Sequence, residues 1–294
     1  MSHRAGFVSI VGKPNVGKST LLNELVGEKL SIITSKAQTT RHRIMGIVND
    51  EKYQIVYSDT PGILSPSYKM HESLMGFVES SLKDADLFLY IVEFGERERE
   101  NEVIEKINKS GIPVILLINK IDRANAETLA EYQKEWEGIF ENGEIFPISA
   151  LYGFDLEGLN KKIVEKLPLS PPYFDKDELT DKSMRFFVSE IIREKILLNY
   201  QKEIPYAVEV AVDQYKEEED IIRIFAYIFT EKESQKNIII GNKGSSIKKV
   251  GIESRKDIEA FVEKKVFLEL RVKVIPNWRN NPHVLRRFGY LEGK

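Results

Sequence analysis

The chain of 294 residues has no cysteine and only four histidines, which are scattered along the sequence. Without thiols the protein can have no disulfide, no cysteine nucleophile and no Cys-based zinc or iron–sulfur site, and the histidines show no metal-ligand spacing. Long apolar runs are also missing, because the longest are of strand length, so no segment is expected to span a membrane. Since the first residues lack the apolar core of a signal peptide, we expect a cytoplasmic protein.

Charge is unevenly distributed along the chain, whose formal net charge is −3. Residues 232–294 contain 15 Lys and Arg against 7 Asp and Glu, whereas the preceding residues contain 28 against 39. A basic region on an otherwise acidic protein indicates a polyanionic partner, although a solvated helix face would give the same count.

Residues 1–167 alternate short apolar runs with helical patterns, which is typical of a doubly wound α/β domain with a mostly parallel sheet. Because only a short polar turn separates the second and third apolar runs, these two are predicted to form a hairpin. Ligands of such sheets bind at the carboxyl ends of the strands. The predicted strands cover 7–12, 43–49, 53–59, 87–93, 113–119 and 144–149, and the predicted helices cover 18–26, 100–109, 129–140 and 156–167.

A Pro-rich and charged stretch at 168–181 is predicted to be a linker. Residues 182–294 beyond it follow a different pattern, α-β-β-α-α-β, which predicts an α+β module. Its helices are predicted at 183–200 and within 238–265, and its strands at 206–212, 221–230 and 266–275. Two domains are also what the chain length favours.

The first glycine-rich segment, GKPNVGKST at 12–20, lies between the first predicted strand and the first predicted helix. There, backbone N–H groups and the helix dipole can hold phosphates, Lys18 would contact the β- and γ-phosphates, and Ser19 would ligate Mg²⁺. The motif indicates a nucleoside triphosphate and does not distinguish ATP from GTP. Its predicted nucleotide-binding residues are Gly12, Asn15, Val16, Gly17, Lys18, Ser19 and Thr20.

The base is predicted from the segment NKID at 119–122, which ends the fifth predicted strand. A carboxylate at Asp122 can accept two hydrogen bonds from guanine, whereas adenine would leave that charge unpaired, so GTP is favoured over ATP. Asn119 would hold the purine edge, and the Lys120 stem would cover the base face. The remaining predicted base contacts follow the next strand and are Ser149, Ala150, whose backbone N–H could contact the guanine O6, and Leu151.

Two further segments are expected to sense the γ-phosphate. Asp59 ends the third predicted strand in the segment DTPG, where it can hold a magnesium-bound water while the Gly62 N–H contacts the γ-phosphate. In the polar loop before the second strand, a threonine could ligate Mg²⁺ only when that phosphate is present. We expect this ligand to be Thr40, with Thr39 as the alternative and a purely structural polar loop as a third interpretation.

A second glycine motif, Gly241-Asn242-Lys243-Gly244, joins an apolar run to a helical pattern in the basic region. Two glycines let the backbone of a single-stranded nucleic acid approach, helix ends offer N–H groups, and lysines neutralise phosphates. With the α-β-β-α-α-β order this predicts an RNA-binding KH domain of type II, although the motif alone would equally fit a bend between helices. The predicted RNA-binding residues are Ile239, Ile240, Gly241, Asn242, Lys243, Gly244, Ile247, Lys248 and Lys249. Trp278 and Phe288 are expected to be packing residues.

Five segments in this order, GKPNVGKS, QTTR, DTPG, NKID and SAL, together with the C-terminal module, resemble the Era family of bacterial ribosome-assembly GTPases. The resemblance covers nearly the whole chain. It implies a P-loop GTPase domain followed by a type II KH domain, with GTP or GDP and Mg²⁺ as cofactors. It also implies binding to the 3′ end of 16S rRNA in the small (30S) ribosomal subunit.

Many GTPases position the attacking water with a glutamine directly after the Asp-x-x-Gly glycine, but this chain has Ile63 there. An apolar side chain can neither orient water nor stabilise charge, so another group must act. Asn15 could help bind K⁺ beside the phosphates, as the resemblance implies, or could serve only a tight loop conformation. Alternatively, a partner such as the ribosome could supply the group that replaces the glutamine. The K⁺ explanation and the partner explanation both predict slow intrinsic GTP hydrolysis. The predicted catalytic residues are Lys18, Asn15, Thr40 and Gly62.

The sequence thus predicts a GTP-hydrolysing switch that binds single-stranded RNA better in one nucleotide state. Two alternatives belong to other classes. A metabolic P-loop enzyme would need an acceptor pocket and lid arginines, which we do not find, and a constitutive RNA-binding scaffold would use the nucleotide only structurally. We expect a monomer, and contact with the inner face of the cell membrane stays open.

Overall fold

The structure is a computed structural model, which describes residues 3–36, 38–99 and 101–291. It divides into two compact units. Unit 1 comprises Met1–Ser31, Thr40–Ser65 and Leu74–Asp181, and unit 2 comprises Ile32–Thr39, Pro66–Ser73 and Lys182–Lys294. Two short segments of the predicted first domain therefore pack with unit 2. No helix within the described ranges is both long and apolar enough to cross a membrane.

Unit 1 is built on six strands, β1 (Arg4–Val11), β2 (Ile44–Asn49), β3 (Tyr53–Asp59), β4 (Leu87–Glu93), β5 (Val114–Asn119) and β6 (Gly143–Pro147). They form one sheet in the order β2-β3-β1-β4-β5-β6. All neighbours are parallel except β2 and β3, which form the predicted hairpin with Ile44 opposite Asp59. Strands covered on both faces are continuously apolar, and β4 and β5 are buried at almost every position.

Five helices lie in this part of the chain: α1 (Lys18–Val26), α2 (Lys69–Asp84), α3 (Glu102–Ser110), α4 (Ala126–Trp136) and α5 (Leu156–Lys166). The bounds of α1 are those predicted, whereas α2 is not among the predicted helices. The start of α4 lies three residues before the predicted start at 129, because Asn125 caps it. Asn125 Oδ1 accepts the Thr128 N–H at 2.9 Å, and Thr128 Oγ1 accepts the Asn125 N–H at 3.2 Å. The predicted start of α3, at residue 100, lies outside the described residues.

Unit 2 contains α6 (Met184–Asn199), α7 (Ile204–Ala207), β7 (Glu209–Glu217), β8 (Ile221–Thr230), α8 (Glu233–Ile240), α9 (Ser245–Val262), β9 (Lys265–Val274) and α10 (Pro282–Arg287). The sheet has the order β7-β8-β9, in which β7 and β8 are antiparallel and β8 and β9 are parallel. The predicted α-β-β-α-α-β order is confirmed, with two short helices added. One of these, α7, occupies residues predicted as the start of a strand, because Pro205 fits the first turn of a helix.

The core of unit 2 is formed by one face of its sheet and the helices packed on it. Ile222, Ile224 and Ile228 alternate along β8 and are buried in a single cluster with residues of α6 and α9. Trp278 is completely buried, donates its indole N–H to the Ala207 carbonyl at 3.1 Å and packs against Phe288. The prediction that Trp278 and Phe288 are packing residues is therefore confirmed.

Candidate nucleotide site and nucleic-acid interface

The carboxyl ends of β1, β3 and β5 bring three of the predicted motifs to one edge of the unit 1 sheet. The loop after β1 holds Lys18, whose ammonium is buried and donates to the Gly12 and Lys13 carbonyl oxygens at 3.1 and 2.7 Å. Burial lowers the Lys18 pKa to about 8, although the Asp59 carboxylate acts in the opposite direction. Val16 of the same loop is buried, and Thr20 lies in the first turn of α1. A cation therefore sits inside the loop that is predicted to hold phosphates.

Hydroxyl groups from three segments converge on the Asp59 carboxylate. Ser19 Oγ lies 2.7 Å from Asp59 Oδ2 and 2.7 Å from Thr40 Oγ1, and Thr40 Oγ1 lies 3.5 Å from the same carboxylate oxygen. Ser31 Oγ also donates to Asp59 Oδ2, at 2.9 Å. Sequence reasoning missed Ser31, because a single serine in a loop gives no signal of where it folds.

This oxygen cluster fits Mg²⁺, which prefers hydroxyl, carboxylate and water ligands. Asp59 Oδ1 is buried and has no hydrogen-bond partner among the described residues, so one carboxylate oxygen is left for a further ligand. Burial raises the pKa of the Asp59 carboxyl, against the effect of the nearby Lys18 charge; a divalent cation would favour the ionised form. Asp59 is the acidic member of this cluster, and the described ranges contain no group of three or more His, Asp or Glu residues that could hold a metal.

The two threonines of the polar loop lie in different surroundings. Thr40 contacts Ser19 and Asp59 within unit 1, whereas Thr39 Oγ1 donates to the Lys36 carbonyl at 2.6 Å and lies 2.7 Å from Thr34 Oγ1 within unit 2. This geometry supports Thr40 over Thr39 as the magnesium ligand.

Gly62 lies against the phosphate loop. A Cβ atom at this position would be 2.6 Å from the Pro14 nitrogen and 2.7 Å from the Pro14 Cα, so only glycine allows so close an approach. The next residue, Ile63, donates its backbone N–H to the Gly12 carbonyl at 3.2 Å. Its side chain packs against the apolar core of unit 1, so it offers no group that could orient water.

At the other end of the loop, Asn119 joins the predicted base-binding segments. Its Nδ2 donates to the Val16 carbonyl at 2.8 Å, and its Oδ1 accepts the Ala150 N–H at 2.9 Å. The N–H that was predicted to contact guanine O6 is therefore held by Asn119 in this structure. Ser149 Oγ donates to Asp122 Oδ1 at 2.6 Å, which orients an otherwise exposed carboxylate.

Lys120 and Leu151 complete this end of the site. Lys120 Nζ donates to the Asn15 carbonyl at 2.9 Å and to Glu93 Oε2 at 2.6 Å, so its stem runs from the end of β5 to the phosphate loop. Leu151 has 70% of its surface exposed. Asn15 itself has a left-handed backbone, with φ of 64°, which agrees with the interpretation that asparagine serves a tight loop conformation.

The Gly241–Gly244 segment forms a turn between α8 and α9 in unit 2. Gly241 has φ of +73°, and a Cβ atom there would lie 2.2 Å from Ser246 Oγ and 2.9 Å from the Ser246 nitrogen. A Cβ at Gly244 would meet nothing within 4 Å, so the backbone at Gly244 borders open space. The side chains around it that are exposed are Asn242, Lys243, Ser245, Lys248 and Lys249.

The apolar floor that was predicted beside this turn is partly wrong. Ile239 is completely buried in the core of unit 2, because α8 turns that side chain toward the sheet, so it cannot contact RNA. Ile240 and Ile247 are half-buried and stay candidates. Ile238, which sequence reasoning did not include, has 49% of its surface exposed.

Unit 1 contains a P-loop, an oxygen cluster that fits Mg²⁺ and, at the end of β5, a carboxylate that fits guanine. Unit 2 is an α+β unit with a Gly-x-x-Gly turn. Together these features define a P-loop GTPase that carries a KH domain. Family comparisons agree, because residues 7–120 match the 50S ribosome-binding GTPase family and residues 203–279 match the KH domain family.

Individual relatives match over nearly the whole chain. GTPase Era of Caldanaerobacter subterraneus subsp. tengcongensis is 45% identical over 300 residues, which cover 100% of both chains. GTPase Era of Syntrophus aciditrophicus is 45% identical over 293 residues, which cover 98% of this chain and 96% of that protein. The chain therefore belongs to the Era family of GTPases.

Two solved structures share the fold of the whole chain. A variant of Aquifex aeolicus Era bound to GDP and AlF4⁻ has a TM-score of 0.93 and 39% identity, over 98% of this chain and 100% of that one. Era in complex with MgGDPNP and nucleotides 1506–1542 of 16S ribosomal RNA also has a TM-score of 0.93 and 39% identity, over 99% of this chain and 100% of that one.

Proposed function

We propose that this protein is a GTP-hydrolysing switch that binds the 3′ end of 16S rRNA as a single strand and acts in assembly of the small ribosomal subunit. The observation that carries the proposal is the convergence of Ser19, Thr40 and Asp59 at the phosphate loop in a chain that also carries an exposed Gly-x-x-Gly turn. The matching structures with GDP·AlF4⁻ and with 16S rRNA support both halves of the proposal.

In the nucleotide site, the Lys18 ammonium would neutralise the β- and γ-phosphates, and Ser19 and Thr40 would hold Mg²⁺ directly while Asp59 would hold it through water. When bound, the ion neutralises charge that develops on the phosphate oxygens. The Gly62 N–H contacts the γ-phosphate, and the Asp122 carboxylate selects guanine. Because Thr40 and Gly62 meet only the triphosphate, their segments report whether the γ-phosphate is present.

Because the Ile63 side chain packs against the core and offers no polar group, Asn15 would help to hold K⁺ beside the phosphates, where the ion would supply the missing positive charge. We expect GTP hydrolysis to be faster in K⁺ than in Na⁺, and Asn15→Ala to remove the difference. Equal wild-type rates in the two salts would reject the cation and leave a partner's group as the source of the missing charge.

RNA binding is assigned to the turn between α8 and α9 and to the lysines beside it. Gly241→Asp should abolish cross-linking to 16S rRNA in cells, because its side chain would collide with Ser246 and add negative charge. Gly111→Asp is the matched control, since Gly111 also has a left-handed backbone at a helix end, with φ of 70°, but lies in unit 1. Cross-linked RNA without 16S rRNA would contradict the proposal.

The salt dependence of RNA affinity tests the same surface with a substitution that removes one charge. Lys243→Met should lower the slope of log affinity against log salt by about 0.7, the value for one lost phosphate contact on a single strand. An unchanged slope would remove Lys243 from the interface. Equal RNA affinity with GDP and with GDPNP would reject the switch, because linkage requires each ligand to affect the other.

The protein is further proposed to act as a cytoplasmic monomer. Sedimentation at micromolar concentration, with and without GDPNP, checks the monomer. Cosedimentation with anionic vesicles checks whether the protein also touches a membrane surface.

A further inference from the structure

Helix α6 of unit 2 holds the segment Ile32–Thr39, which belongs to the same unit, at two points. At the end of the helix, Lys36 Nζ donates to the backbone carbonyl oxygens of Leu197 and Tyr200. Carbonyl groups in the last turn of a helix lack partners within the helix and carry partial negative charge, so an ammonium is favourable there. This contact fixes the middle of the segment.

The second point is Arg193, whose side chain is completely buried. Its Nε donates to Glu190 Oε1 at 2.7 Å, and its Nη2 donates to Glu190 Oε2 and to the backbone carbonyl of Thr39. Burial opposes the charged form, but the Glu190 carboxylate raises the Arg193 pKa, so the guanidinium stays charged. The carboxylate fixes the plane of the guanidinium, which in turn fixes the Thr39 carbonyl.

One peptide group separates this carbonyl from the oxygen cluster of the nucleotide site. Because the Thr39 carbonyl and the Thr40 nitrogen share a rigid plane, a displacement of the carbonyl also moves the Thr40 Cα. Thr40 Oγ1 lies 2.7 Å from Ser19 Oγ, a distance at which a small displacement changes whether both oxygens can meet one ion. The Arg193 contact therefore restrains the peptide group that leads to Thr40.

We propose that Arg193 is a positioning residue for the GTP-bound state: by holding the Thr39 carbonyl, it sets where the Thr40 hydroxyl ligates Mg²⁺. The proposal rests on the proposed function, in which Thr40 ligates the ion only when the γ-phosphate is present. It predicts that loss of the contact weakens binding of GTP analogues and leaves GDP binding unchanged.

The test uses the double variant Glu190→Gln/Arg193→Met, which removes the Arg193 charge together with the charge of its hydrogen-bonded partner Glu190. Binding of fluorescent GDP and fluorescent GDPNP is measured over a titration of Mg²⁺. Affinity for GDPNP should fall about 10- to 100-fold, the range for residues that orient a metal ligand, while GDP affinity stays the same. Thermal unfolding checks that the double variant is folded. If it does not fold, the single variant Arg193→Lys is measured in its place.

Two further variants separate positioning from general support. Thr40→Ala should cause a similar loss of GDPNP affinity, and adding it to the double variant should cause little more, because both act on one ligand. Lys195→Met is the control, since Lys195 lies on the same helix and pairs with Glu194 and Asp257 instead of Thr39.

The outcomes can be told apart. Equal losses for GDP and GDPNP, fully additive effects with Thr40→Ala, or unchanged GDPNP affinity in a folded variant would each overturn the role of Arg193. Failure of the wild-type protein to bind GDPNP in Mg²⁺ would instead refute the proposed function on which this role rests.

Discussion

Lys18 is expected to take up a proton when a nucleotide binds. Burial lowers its pKa from 10.5 to about 8 in the protein without nucleotide, and phosphate oxygens in contact with the ammonium would raise the pKa again. At pH 8 about half of the Lys18 side chains are then neutral before binding and charged after it, so binding should take up about half a proton. The direction is fixed, because the bound state holds more protons than the unbound state.

The same pKa gives the size of the effect on affinity. Between pH 7.5 and 8.5 the charged fraction of Lys18 falls from about three quarters to about one quarter, so GDP affinity should fall about threefold, or about 0.65 kcal/mol. Isothermal titration calorimetry in buffers of different ionisation enthalpy measures the proton uptake. The Lys18→Met variant, measured at higher GDP concentration, should show no such proton uptake. Proton release, or uptake that does not rise from pH 7 to 8.5, would refute the reasoning.

Three further predictions follow from single contacts. Asp122→Asn should lower GTP affinity about 100-fold or more and make the protein prefer xanthosine triphosphate, which carries a carbonyl in place of the exocyclic amine. A variant that still prefers GTP in a competition assay would contradict this prediction. Gly62→Ala should slow GTP hydrolysis about 10-fold or more, because its methyl group would lie 2.6 Å from the Pro14 nitrogen and displace the loop; steady-state turnover measures this. Trp278→Ala should cost about 3–5 kcal/mol of unfolding free energy in urea denaturation, since the side chain is completely buried.

Much of the fold could be predicted from local patterns. The strands that became β3 and β4 and the helix α1 have their predicted bounds, because each is a continuous apolar or amphipathic run between clear turn signals. The observed start of α4 differs from the predicted start because the capping residue Asn125 sets where the helix begins. The domain limits at residues 167 and 182 stay predictions.

The candidate site was predicted to the extent that its residues lie in short motifs. Ser19, Asp59 and Thr40 belong to three such motifs, and the structure brings their oxygens together. Ser31 joins them without any motif of its own. Ile239 shows the opposite error, since its position beside Gly241 suggested an RNA contact while the face of α8 that it occupies points into the core.

The sequence by itself determined the class of chemistry. Backbone conformation, charge and hydrogen-bonding groups at fixed spacing specify a phosphate loop, a guanine acceptor at Asp122 and a Gly-x-x-Gly turn, because each acts over a few adjacent residues. Only the tertiary structure decided which distant groups meet. The bond from Arg193 to the Thr39 carbonyl joins residues 154 positions apart, and a buried arginine within a helix carries no local signal of its acceptor. Packing of α6 against Ile32–Thr39 within unit 2 creates that contact.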